Sequence, residues 1–166
     1  MAGVNNFVFS KRSSDILADV HPDLAAVMAL ALTLTPIDFT VYHGRRTIEQ
    51  QRAFVEAGKS RTMNSRHLTG HAVDFAPWQN GGIDWDDIDA FKSVIGAVKE
   101  AARVLDVPIE CGGDWGWDFP HIQLDWLAYP KEAGLVPKIA QAAQIERPQT
   151  VREYGQKRDR WGRVIA

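Results

Sequence analysis

Hydrophobic positions recur along this chain with two spacings, and each predicts a different element. Leu24, Val27, Met28, Ala31 and Leu32 fall at i, i+3, i+4, i+7 and i+8, the pattern of a helix that buries one face. His21-Pro22 opens that helix, since proline at the first helical position lacks an N–H that would have no helical partner anyway, and Pro36 ends it. Ahead of it, Ser13 or Ser14 caps a short turn through Leu17. Thr47 is placed to cap a helix with Ile48, Gln51, Phe54 and Val55 inward, and Gly58 to end it in a left-handed conformation. Ile88, Phe91, Ile95, Val98, Ala102 and Leu105 form the longest stripe, on a helix started by Asp84 or Asp86. A last helix is expected from Pro137 to about Ile145.

The second spacing is alternation. In residues 38–43 it puts Phe39 and Val41 on one side, and in residues 71–76 it sets Val73 and Phe75 inward against Ala72 and Asp74. Residues 107–111 and 121–124 read as two more short strands, residues 59–66 as a polar loop, and Gly112-Gly113 as a turn. Strands interrupted by helices without regular βαβ units predict an α+β domain: a small, mostly antiparallel sheet with helices packed on one face. The strands at 71–76, 107–111 and 121–124 are expected to be neighbours.

Composition narrows the picture. With 166 residues, 45% hydrophobic, the chain suits one domain spanning 1–166, its core in about 10–125. A net charge of −2 gives no reason to expect nucleic acid. From Lys131 onward eight Lys or Arg stand against four Asp or Glu, so 131–166 reads as a basic, peripheral segment. The single cysteine, Cys111, excludes an intramolecular disulfide and reads as a small buried residue. No basic-then-apolar leader opens the chain, and its longest uncharged run, Leu24 to Ile37, is too short to span a membrane. The expectation is a monomer made in the cytoplasm without membrane insertion, so a substrate beyond the membrane requires a separate permeabilising protein.

The chemistry concentrates in Ser65–Phe75, where two histidines and a carboxylate lie close together. Neutral imidazole and carboxylate are zinc ligands, and a catalytic zinc takes three protein ligands and leaves one position open. His121 is the only later histidine, so His67, Asp74 and His121 form the expected zinc set. Asp118, three residues before His121, is placed to serve as general base.

These residues resemble a known family, the zinc D,D- and L,D-peptidases that include VanY-like carboxypeptidases and phage L-alanyl-D-glutamate endolysins. The family pattern Ser-x-His-x-x-Gly-x-Ala-x-Asp is met by Ser65, His67, Gly70, Ala72 and Asp74, and its downstream acid-x-x-His by Asp118 and His121. Gly44-Arg45-Arg46-Thr47 matches a further element, while Asp74-Phe75-Ala76-Pro77 and Gly113-Asp114-Trp115 look like the endolysin branch. Asp118 stands where many relatives carry Glu. The resemblance implies the fold of D-Ala-D-Ala peptidases and the hedgehog amino-terminal domain. It implies zinc on His67, Asp74 and His121, Asp118 as base, and Arg46 on a substrate carboxylate or the oxyanion. The implied activity is cleavage of the L-alanyl-D-glutamate bond of the peptidoglycan stem peptide, in the periplasm or cell wall, during phage-induced host lysis. Alternatives are a D-alanyl-D-alanine carboxypeptidase, a cysteine peptidase using Cys111, and a zinc-stabilised wall-binding module.

Around this site His71 is expected to face solvent or the cleft, His21 and His43 to be structural, and Arg45 exposed. Asp114 is placed either to orient a ligand histidine or to cap a turn, and Trp115 and Trp117 fit either a cleft wall or the core. Gly70 and Ala72 let the chain turn and lie close to the ion.

Overall fold

A computed structural model describes residues 5–138, and its helices start where side chains bond the first free N–H groups. Helix α1 (Lys11–Ala18) is capped by Ser10 rather than Ser13 or Ser14. Ser13 lies inside the helix and is buried; its hydroxyl bonds the Val41 carbonyl at 3.1 Å. Helix α2 (Pro22–Leu34) has proline in its first turn and His21 as cap, and its predicted stripe is buried throughout. Strand β1 (Phe39–His43) buries Phe39 and Val41 as expected. Helix α3 (Ile48–Glu56) starts with a Thr47/Gln50 capping box, and Gly58 follows its end at φ +71°.

The predicted inward face of α3 does not exist as such. Gln51 is its one fully buried residue and Ile48 is 57% exposed, because α3 lies beside a cleft and not on the core. The Gln51 amide donates to Ser60 Oγ at 2.9 Å and the Thr62 carbonyl at 2.8 Å, pinning the loop that follows.

Strand β2 (Ala72–Pro77) comes next, then α4 (Ile88–Leu105), β3 (Ile109–Cys111) and β4 (His121–Leu124). Asp87 caps α4, accepting from the Ala90 N–H at 3.0 Å. Neither expected residue, Asp84 or Asp86, is the cap: Asp84 accepts from the Asp86 N–H in the preceding turn. A 3₁₀ turn, Arg66–Thr69, leads into β2, and another, Gly112–Trp115, follows β3 where a simple turn was expected. The helix expected from Pro137 lies almost wholly outside the described residues. Among the described residues no helix is long and apolar enough to cross a membrane.

The sheet runs β1-β2-β4-β3 and every pair is antiparallel. Val41, Val73, Phe75, Cys111, Ile122 and Leu124 join residues of α2 and α4 in one core, so one sheet face is covered by helices. Register places Asp74 opposite His43 on one side and His121 on the other, and Gln123 opposite Glu110. Alternation in β2, β3 and β4, with an irregularity in β1 before His43, then gives the other face a row of polar side chains across all four strands.

Two polar residues lie deeper than their neighbours in sequence suggest. Arg66, at the end of the polar run read as a loop, is 1% exposed and donates to the carbonyls of Leu124, Asp125 and Tyr129. Its guanidinium also stacks over the Trp126 ring at 4.2 Å. Arg66→Met fills much of the same volume but leaves buried carbonyls without donors, each worth about 1–3 kcal/mol. The urea midpoint is expected to fall by the equivalent of at least about 2 kcal/mol. An unchanged midpoint would show that these bonds add nothing to stability.

His71, expected at solvent or the cleft, is fully buried against His21, with Nδ1 2.7 Å from Thr69 Oγ1. Burial, with the nearby charge of Arg66 adding to it, lowers its pKa to about 4, so the ring is neutral packing at neutral pH.

Candidate metal centre and active-site cleft

Antiparallel pairing of β2 with β4 brings Asp74 across from His121, and the 3₁₀ turn ahead of β2 folds His67 over both. Atoms of His67, Asp74 and His121 able to bind a metal lie within 4.8 Å of one another, all three residues buried. The strand carrying Cys111 stands beside β4, as expected, but contributes none of the three.

Hydrogen bonds on the outer edges of the rings identify the nitrogen left bare on each. His67 Nδ1–H donates to the Gly44 carbonyl at 2.7 Å, leaving Nε2 bare 3.2 Å from Asp74 Oδ1. His121 Nε2 lies 2.9 Å from Gln123 Oε1, leaving Nδ1 bare 3.3 Å from Asp74 Oδ1. Lone pairs from two imidazoles and a carboxylate therefore converge, an arrangement that repels itself unless positive charge sits within it. Burial lowers the His67 pKa and keeps that ring neutral, the form that binds metals. Burial also acts against charge on His121, but Asp74 outweighs it and raises the pKa, so positive charge is favoured between the ring and that carboxylate. The set thus calls for a cation, and two nitrogens with one carboxylate oxygen are a donor set that zinc accepts.

The second Asp74 oxygen is occupied from outside. Oδ2 accepts from Arg46 Nη2 at 2.7 Å and lies 3.4 Å from His43 Nδ1. Burial pushes the Asp74 carboxyl up, but the adjacent His67 ring and bonds from His121 and His43 outweigh it, holding the pKa well below the usual range. Arg46 also reaches Gln51 Oε1 and lies 4.1 Å above the Phe54 ring.

The site opens into a cleft of about 740 Å³ lined by Arg46, Phe54, Arg61, Trp115, Trp117 and Asp118, among others. Asp118 belongs to the loop before β4, and its carbonyl accepts from the His121 N–H at 3.1 Å. Gly112 makes room for that loop: a Cβ there would fall 2.1 Å from the Asp118 carbonyl oxygen and 3.0 Å from His121 Cβ. Burial raises the Asp118 pKa; the charge of His121 pulls against it and that of Asp74 adds to it.

Other expectations divide. Trp115 and Trp117 wall the cleft instead of filling the core: Trp115 lies 5.5 Å from the His121 ring and Trp117 beneath Arg61 at 4.5 Å. Arg45 is exposed as expected. Asp114 orients no histidine but pairs with Lys99 at the surface. Gly70 turns the chain against the α1–α2 junction, its carbonyl accepting from the His21 N–H, so its role there is packing. Cys111 is 2% exposed and burial pushes its thiol up to about 11, which leaves little thiolate for a nucleophile.

Three polar partners were not assigned to the site from the sequence: His43, which was expected to be structural, Gln123 and Glu110. Strict alternation would put His43 on the core side with Phe39 and Val41, and the β-bulge between Val41 and His43 re-aims it toward Asp74. Nothing local announces that bulge. Gln123 could have been found, since it lies two residues beyond His121 and shares its strand face. Glu110 needed the β3–β4 register as well.

Comparison with known proteins agrees with this geometry. The family model for the phage L-alanyl-D-glutamate peptidase matches residues 5–123. The L-alanyl-D-glutamate peptidase of Escherichia phage T5 is 42% identical over 113 residues, 66% of this chain and 82% of that protein. The enzyme of the same name from Listeria phage A118 is 39% identical over 95 residues, 56% of this chain and 32% of that protein. The crystal structure of Serratia marcescens L-Ala D-Glu endopeptidase ChiX superposes with a TM-score of 0.70 at 41% identity, covering 76% of this chain and 96% of that one. With the model matching well over half its length, this chain belongs to the phage L-alanyl-D-glutamate peptidase family.

Proposed function

We propose that this chain is a zinc-dependent endopeptidase that hydrolyses the L-alanyl-D-glutamate bond of the peptidoglycan stem peptide. The observation that carries the metal dependence is the convergence of two bare imidazole nitrogens and Asp74 Oδ1 at the floor of an open cleft. The family and the names of its members support the choice of bond.

His67, Asp74 and His121 would hold the zinc. When bound, the ion supplies Lewis acidity, polarising a carbonyl and lowering the pKa of water to about 7. Asp118 takes the proton from the attacking water as its oxygen bonds to the alanyl carbonyl carbon. It then returns the proton to the glutamate nitrogen as the C–N bond breaks. The raised pKa of Asp118 suits both halves of that task. Arg46 grips Asp74 Oδ2 and so directs Oδ1 at the two rings. Its positive charge, lining the same cleft, favours the oxyanion that forms at the attacked carbonyl. The phage origin of the relatives supports a role in host lysis, with a separate membrane-permeabilising protein giving access to the wall.

Digestion of purified peptidoglycan, with the fragments read by mass spectrometry, tests the bond. Stem peptides released with a free D-glutamate amino terminus are expected, leaving L-alanine on the glycan. Release of D-alanine alone would replace the endopeptidase with a carboxypeptidase.

A further inference from the structure

The polar row on the sheet continues past the three convergent residues, and its far end has no part in the chemistry above. Gln123 is 6% exposed, and its side-chain amide is bonded at both ends. Its Nε2 donates to Glu110 Oε2 at 2.8 Å across the β3–β4 pair, and its Oε1 faces His121 Nε2 at 2.9 Å.

A primary amide has one accepting and one donating end, whereas an ionised carboxylate only accepts. Glu110 therefore fixes which way the Gln123 amide points, and the amide in turn allows only a protonated nitrogen at His121 Nε2. We propose that Gln123 and Glu110 are positioning residues that hold His121 as its Nε2–H tautomer, with Nδ1 bare toward Asp74. The proposal rests on the reading of His121 as a zinc ligand. Gly44 does the same for His67 with a backbone carbonyl, which no side-chain substitution removes. His121 relies on side chains, so its orientation is open to mutation. Glu110 is only half-buried, and its variants are expected to fold.

The test is zinc affinity, read by chelator competition, together with ¹⁵N shifts of the His121 ring in metal-free protein at a pH where both rings are neutral. Gln123→Ala is expected to weaken zinc binding by about 10–100-fold, the usual cost of losing a ligand's outer partner. Gln123→Glu alone sets two carboxylates against each other. Combined with Glu110→Gln it rebuilds the relay in reverse: the new amide donates to the new carboxylate, which accepts from His121. This double variant is expected to recover most of the lost affinity, which a merely structural role would not produce.

Wild-type zinc affinity in Gln123→Ala, or no recovery in the double variant, would overturn the proposal. Should Gln123→Ala fail to fold, the wild-type ring decides: protonation at Nε2 supports the pair, and protonation at Nδ1 overturns it. These readouts are independent of hydrolysis. A chain that binds zinc through this relay but cuts another bond fails the functional reading and keeps the positioning pair. A wild type without zinc affinity fails the functional reading, and the ring tautomer then decides the pair.

Discussion

Asp118→Asn is expected to lower peptidoglycan hydrolysis by about 10²–10⁴-fold, the usual contribution of a general acid–base group. Its zinc content should match that of the unaltered chain. The carboxamide keeps the size of the side chain and removes its basicity. Asp118 is outside the trio of convergent atoms, so the metal set is intact in this variant. The pH dependence adds a second reading. Burial raises the Asp118 pKa, and the active form of a base is the ionised one. Activity should therefore fall as pH drops through a value above the ordinary aspartate pKa of about 3.9, and the fall should be absent from the residual activity of Asp118→Asn. Turnover close to that of the unaltered chain would remove Asp118 from the mechanism.

His67→Ala is expected to lose metal and turnover together. The ring is 2% exposed, and its Nε2 is one of the three atoms facing the centre. Two donors remain, and the loss of zinc affinity should exceed the roughly 10–100-fold typical of an outer partner. Hydrolysis should drop to background. Circular dichroism separates loss of metal from loss of fold, since the core on the opposite sheet face includes none of the site residues. Retained zinc and retained hydrolysis in a folded His67→Ala would show that the ligand set is different. The two variants form a contrast: one keeps metal without turnover, the other keeps neither.

The three convergent residues were legible because they lie in two short segments. Asp74 and His121 belong to alternating runs that became adjacent antiparallel strands, and one register pairs them directly. His67 reaches the same point through a single turn, so the spacing in the chain nearly determines the spacing in space. The helices were legible where caps and apolar stripes agreed, as in α2, and less so where several hydroxyls or carboxylates competed to be the cap.

What escaped depends on distant partners. Arg66 sits in a polar run, and only the carbonyls of residues 124–129 explain its burial. His71 is buried because α2 and its cap His21 pack over it. Arg46 was expected on a substrate carboxylate or the oxyanion; its bonds to Asp74 and Gln51, which fix the position of its charge, needed the folded chain to be seen. The α3 pattern misled because an amphipathic helix beside a cleft presents Phe54 to Arg46 and His43 instead of to a core.

Peptidoglycan digestion by metal-stripped protein, before and after restoring one equivalent of zinc, tests the central claim most directly. The expected result is no cleavage by the stripped chain and full recovery on reloading, with fragments cut between L-alanine and D-glutamate. Undiminished cleavage by protein shown to contain no metal would contradict it.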